Sequence, residues 1–178
     1  MGDPAPETLL LDVAEILHAT AGSLHQTLEL DLGSVDVGPV GFAPIGPVHV
    51  DITLTYAGTA VVAEGTVDAT VRTACVRCLG DVDLAIHGAI EGFYIQHGTE
   101  HDLPEEQEYE FIEGTAVDVL PAVRSALILE LPFAPVHPGG CQAVCPQCGE
   151  GVDSCMCGPE GSDSPFSALK DLFPNPGP

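Results

Sequence analysis

Strict two-residue alternation leads into and out of a Cys-x-x-Cys pair, and nothing else in the chain limits its fold as much. In VHVDITLT, Val48, Val50, Ile52 and Leu54 share one face while His49, Asp51, Thr53 and Thr55 share the other, as expected of a half-buried strand. GTVDATVRTAC keeps the period through Val67, Ala69 and Val71 and runs directly into Cys75. Beyond CVRCLGD, Val82, Leu84, Ile86 and Ile90 resume it. The pattern predicts an antiparallel hairpin with Cys75 and Cys78 at its tip.

Around this hairpin, LLLDV and LHQTLELDL read as two further strands joined by a helical turn near Ala14 to Leu17, the alternative being one helix broken at Gly22. GSVDVGPVGFAPIGP is rich in Gly and Pro and reads as a loop, and QHGTEHDLPEEQEYE as a solvated acidic connection. In DVLPAVRSALILEL, Asp118 is the expected N-cap of a helix, Pro121 falls at its third position and Pro132 closes it. Its apolar residues, Leu120, Val123, Ala126, Leu127 and Ile128, cover enough of the circumference to place it against the sheet. The length of 178 residues suits one compact domain with an appendage.

After Pro132 the character changes to Gly, Pro, Cys and small polar residues. CQAVCPQCGEGVDSCMCG holds five of the seven cysteines. A segment this short buries too little apolar surface to order itself and needs a staple. The N-terminus has no basic region followed by an apolar run, and no segment approaches the ~20 apolar residues of a membrane span, so the expected location is cytoplasmic. In a reducing compartment, closely spaced cysteines serve as metal ligands more often than as disulfides. An odd count also leaves one thiol over in any all-disulfide scheme.

Two cysteines two residues apart reach one tetrahedral ion from a tight turn, and a following glycine lets backbone amides point at the thiolates. Cys145-Pro-Gln-Cys148-Gly149 meets this requirement, and Cys75-Val-Arg-Cys78-Leu-Gly80 meets it with glycine one place later. A redox dithiol normally caps a helix, unlike either pair here. A catalytic zinc site would need an open position beside a general acid or base, which the sequence does not supply. With His137 the cysteines make eight candidate ligands, Cys75, Cys78, His137, Cys141, Cys145, Cys148, Cys155 and Cys157. That is enough for two zinc ions, preferred over one ion with spare thiols. The expected grouping is Cys145, Cys148, Cys155 and Cys157 around one ion and Cys75, Cys78, His137 and Cys141 around the other. A competing scheme sets Cys75/Cys78 against Cys145/Cys148 as facing knuckles.

Lys and Arg number 4 against 27 Asp and Glu, a formal net charge of −23. So negative a chain repels phosphate backbones, whose sequence-independent affinity is built from Lys and Arg, and it disfavours anionic membranes. Either it meets basic partners, or its carboxylates keep it soluble in a salty cytosol.

Three stretches in order, CVRCL after a strand, DVLPAVRSALILELPFAP ending in Leu-Pro, and the CQAVCPQCG…CMC ribbon, resemble the YceD family of proteins tied to accumulation of large-subunit ribosomal RNA. The resemblance covers roughly Leu9 to Leu172. In that family the Cys-x-Arg-Cys pair recurs even without the ribbon and the place of His137 holds Cys or His, which implies that Cys75, Cys78, His137 and Cys141 belong together. The family pattern departs here at Ala143-Val144, at EGVD and at DSPF.

The reading is thus an α+β fold: an antiparallel, partly barrel-like sheet with one long packed helix and a C-terminal zinc ribbon. Residues 1–132 form the core, 133–164 the ribbon, and 165–178 a short helix (Phe166, Leu169 and Leu172 on one face) with a frayed end. The resemblance implies a non-enzymatic factor in ribosome biogenesis. It would act through basic ribosomal or assembly proteins, or an RNA–protein complex, without binding naked nucleic acid or membranes. The alternative is a zinc-stapled protein-interaction or redox-responsive module unrelated to ribosomes.

Overall fold

The computed structural model describes residues 6–19, 22–100 and 106–157. In order, the elements are β1 (Leu10–Asp12), α1 (Ala14–Leu17), β2 (Ser23–Leu30), β3 (Val35–Val37), β4 (Val40–Pro44), β5 (Val48–Tyr56), β6 (Ala60–Ala74), β7 (Asp81–Ile95), β8 (Glu110–Phe111), β9 (Ala116–Asp118) and α2 (Leu120–Glu130). β6 and β7 pair antiparallel along their full length, from Ala60 opposite Ile95 to Ala74 opposite Asp81. β5 lies on the other edge of β6 with Val50 opposite Val67, and β2 lies outside β5. This register puts Val50, Ile52, Leu54, Val67, Val71, Val82, Ile86 and Ile90 on one buried face, the face that the alternation predicts. The start of the chain likewise forms strand, helical turn and strand, rather than one helix.

Among the described residues the sheet, expected to be partly barrel-like, does not close into a barrel. β4 takes up the edge of β6 beyond β5, with Pro44 opposite Val71 and Ala43 opposite Arg72. The strand order is therefore β2-β5-β6-β4-β3, with β7 and then β8 on the other side of β6. Because β4 and β5 share one edge of β6 end to end, the added strands lengthen the sheet instead of closing it, and no ring of strands forms among the described residues. The Gly/Pro-rich stretch read as a loop is thus partly a hairpin. Gly38 turns it with φ of 60°, Val37 pairs with Val40, and Phe42 is fully buried, so one aromatic anchors a segment whose composition hides its pairing.

α2 covers the buried face across β7. Its contact is close because Gly88 has no side chain: a Cβ there would lie 2.5 Å from the backbone oxygen of Ala126. Leu120, Val123, Ala126 and Leu127 are buried, whereas Ile128 is 42% exposed and Leu129 82%, so the apolar stripe is narrower than expected and Ile128 is not a core residue. The cap also differs by one residue. Asp118 remains in β9, pairing with Leu10 in β1, and Val119 holds the cap position. Asp118 Oδ1 accepts hydrogen bonds from the N–H groups of Leu9 (2.8 Å) and Leu120 (3.0 Å). Pro121 is accordingly the second helical residue, and Leu131 leaves the helix extended, as the residue before a proline must.

From 133 to 157 the only ladder contact is the bridge between Val144 and Gly151. The expected terminal helix, and the expected ribbon beyond Cys157, lie outside the described residues.

Candidate metal centres

The β6–β7 hairpin ends in a six-residue turn whose hydrogen bonds follow from the Cys-x-x-Cys spacing. The Cys75 N–H donates to Gly80 O (2.8 Å) and the Leu79 N–H donates to Cys75 O (2.9 Å). The ribbon repeats the turn: Cys145 N–H to Glu150 O (2.6 Å) and Gly149 N–H to Cys145 O (2.8 Å). In both, the residue four places after the first cysteine is left-handed, Gly149 with φ of 75° and Leu79 with φ of 60°. Glycine takes this conformation freely, whereas leucine is strained in it by about 1–2 kcal/mol. The glycine of the first turn was expected to play this role from one place later, but Gly80 is not the left-handed residue. The common spacing from the first cysteine was the signal that equates Leu79 with Gly149.

Backbone bonds join the two turns. Val76 N–H donates to Pro135 O and Val144 N–H to Arg77 O, both at 2.9 Å. The ribbon therefore brackets the hairpin tip, and Cys141 arrives beside the first pair. The sulfurs of Cys75, Cys78 and Cys141 lie within 4.8 Å of one another, as do those of Cys145, Cys148, Cys155 and Cys157. Facing knuckles, with Cys75/Cys78 set against Cys145/Cys148, are not what the fold assembles. Although Cys155 and Cys157 are separated by a single residue, both sulfurs reach the second group. His137 stands next to the first group but outside it. Its Nε2 is 4.0 Å from where a Cβ on Gly80 would sit, and Cys78 Sγ is 3.6 Å from the same point.

The donor set fits a soft divalent ion. Zn–S bonds of ~2.3 Å in a tetrahedron separate sulfurs by ~3.8 Å, and Cys75 Sγ lies 3.4 Å from Cys141 Sγ, far beyond a covalent S–S bond. All seven cysteines are free thiols. Arg77 N–H points at Cys75 Sγ from 3.5 Å, the kind of outer-shell donor that orients a thiolate ligand.

Acidity is divided unequally within each group. Burial pushes the Cys75 thiol up, but the backbone N–H groups of Cys78, Arg77 and His137, with the Cys141 thiol, bring it down to about 6. Burial and its bonds to Cys75 and Cys78 push Cys141 up to about 11. In the ribbon, the N–H groups of Cys148 and Gln147 lower Cys145 to about 7. The thiol of Cys148, followed by burial, raises Cys157. Cys75 and Cys145 ionise readily, and Cys141 beside the first and Cys155 and Cys157 beside the second then hold their protons more tightly, since adjacent thiolates repel. A dication between them removes that repulsion and favours the deprotonated set.

Comparison with known proteins agrees with these motifs. A family model described as large ribosomal RNA subunit accumulation protein YceD matches residues 63–173, which include every cysteine and His137. Proteins described only as uncharacterized, one from Mycobacterium bovis and one from Mycobacterium tuberculosis, are 29% identical over 133 residues, 71% of this chain and 61% of each of them. An uncharacterized protein of Mycobacterium leprae is 29% identical over 109 residues, 58% of this chain and 48% of its own length. The chain thus spans about three fifths or less of the length of these relatives. No solved structure matches it. Among the described residues no helix is long and apolar enough to cross a membrane.

Proposed function

The chain belongs to the YceD family of large ribosomal RNA subunit accumulation proteins, and from that premise we propose that it is a non-enzymatic, zinc-stapled cytoplasmic factor supporting the synthesis, processing or stability of large-subunit rRNA. The observation that carries the zinc is the convergence of the cysteines into two groups. Zinc supplies cross-links there. Cys145, Cys148, Cys155 and Cys157 would close one site within the ribbon, and Cys75, Cys78, Cys141 and His137 a second that clamps the ribbon to the core. Four thiolate donors leave no open position for substrate, which favours structure over catalysis. In this reading residues 1–132 act as the core and 133–164 as the stapled ribbon.

The partner class follows from the charge of −23. Direct contact with naked RNA is opposed by phosphate repulsion, so association runs through basic ribosomal or assembly proteins, or through an RNA–protein complex. The test is deletion of the gene with quantification of mature rRNAs. The expected result is a lower ratio of large-subunit to small-subunit rRNA, and an unchanged ratio rejects the reading.

A further inference from the structure

The charges along the solvent face of β6 and β7 follow a rule with one exception. At four-residue intervals the register sets Arg72 opposite Asp83, Asp68 opposite His87, and Glu64 opposite Glu91. The first pair is bidentate at 2.7 Å and the second bonds at 2.7 Å. Glu64 and Glu91 face each other as like charges, an arrangement that destabilises a sheet, and neither has an ion-pair partner among the described residues. They line one wall of a groove of about 1150 Å³ that wraps the outer edge of β7. Glu108 and Glu110 enter it from the segment leading into β8, and Glu130 from the end of α2. Among the described residues no Lys, Arg or His lines it.

Two further observations say what the groove accepts. Tyr94, in its wall, is 2% exposed, and its hydroxyl has no hydrogen-bond partner among the described residues. Since among the described residues no fully sealed side-chain oxygen or nitrogen lacks a partner, that hydroxyl is not fully sealed, and its residue lines the groove. Burial, then the charges of Glu110 and Asp118, raise its pKa, so it stays a neutral phenol able to accept a hydrogen bond from a cation. The second observation is backbone. On the side away from β6, β7 is paired only at Tyr94 and Ile95, by β8. From Asp81 to Phe93 that edge carries no strand among the described residues, leaving alternate peptide groups free to pair with an added strand.

We propose that this groove binds an extended, Lys/Arg-rich segment of a basic protein, which adds as a strand along the free edge of β7, sets its cations among Glu64, Glu91, Glu110 and Tyr94, and rests its apolar side chains on Phe93, Tyr109 and Leu129. The inference deepens the proposed function, resting on its partner class, and it names the surface and the form of the partner. Nucleic acid is disfavoured at a wall of unpaired carboxylates.

The experiment uses the full chain with its metal and a fluorescein-labelled peptide in which pairs of lysines alternate with pairs of valines, so that each face of the added strand carries both cations and apolar side chains, read by fluorescence anisotropy. Binding that weakens with salt is expected, as for charges in an open groove. The double variant Glu91→Gln/Glu110→Gln should bind about tenfold more weakly. The control Asp31→Asn/Asp36→Asn, which removes the same charge outside the groove, should bind like the wild type. Tyr94→Phe should also weaken binding, and methylating alternate peptide nitrogens of the ligand, which keeps its charge, should abolish it. The proposal is overturned by absence of binding, by equal losses in the groove and control variants, by full affinity in Tyr94→Phe, or by full affinity of the methylated peptide. Such a failure is separable from failure of the rRNA reading, because the rRNA ratio is measured on gene deletion without reference to this surface.

Discussion

Gly88→Ala tests how closely α2 is set on the sheet. The added Cβ would lie 2.5 Å from the Ala126 oxygen and 2.9 Å from its carbonyl carbon, atoms of helix backbone that cannot rotate aside. To reach ordinary contact distance α2 must retreat by roughly 1 Å. The retreat also loosens Leu120, Val123 and Leu127, buried by the same packing. Overpacking of this kind costs ~1–3 kcal/mol. Replacing a glycine within a strand returns ~0.5–1 kcal/mol of backbone entropy, and the loosening of α2 offsets most of that gain. For a chain of this size each kcal/mol shifts Tm by ~2–4 °C, so a fall of about 2–12 °C is expected. The assay is thermal unfolding by circular dichroism at fixed zinc concentration, since bound metal shifts apparent stability by mass action. Gly139→Ala is the control, as a Cβ there meets nothing within 4 Å. Gly88→Ala melting within a degree of wild type would refute the close helix–strand contact.

Elemental analysis of protein purified without chelators should find two zinc ions per chain. Cys141→Ser should release the ion at the hairpin tip and keep the ribbon's, and Cys155→Ser the reverse; loss of the hairpin ion in Cys145→Ser would reject the grouping. Asp118→Ala removes the acceptor of both the Leu9 and Leu120 N–H groups, which should cost ~1–2 kcal/mol in urea unfolding, and an unchanged midpoint counts against its bridging role. The bond to Arg72, partly countered by burial, lowers the pKa of Asp83. Its contribution to stability is therefore present above the unfolded value of ~3.9 and lost as pH falls below it. Wild type should lose more stability than Asp83→Asn on acidification through that range, and parallel pH profiles would show that the pair is energetically silent.

Much of this molecule is written in short-range pattern. Two-residue alternation identifies β5, β6 and β7 and their buried face, because side-chain direction in a strand depends only on position along it. The Cys-x-x-Cys spacing identifies both candidate metal-ligand turns, because chelation by neighbouring thiolates is local geometry. The β3–β4 hairpin was not legible: its Gly and Pro residues signal a loop, and only burial of Phe42 and the shared edge of β6 make it a strand pair. The left-handed φ of Leu79 was masked by its residue type, since leucine does not favour that conformation, and only the spacing from the first cysteine that it shares with Gly149 points to it.

The sequence by itself determined which residues alternate, which thiols form turns and how negative the chain is. Tertiary structure alone decided that the strands do not close into a barrel, that β4 shares an edge of β6 with β5, and that Glu64 faces Glu91 beside an unpaired strand edge. These depend on register between segments far apart in the chain, set by the collective fit of the whole buried face and not by any one window of sequence.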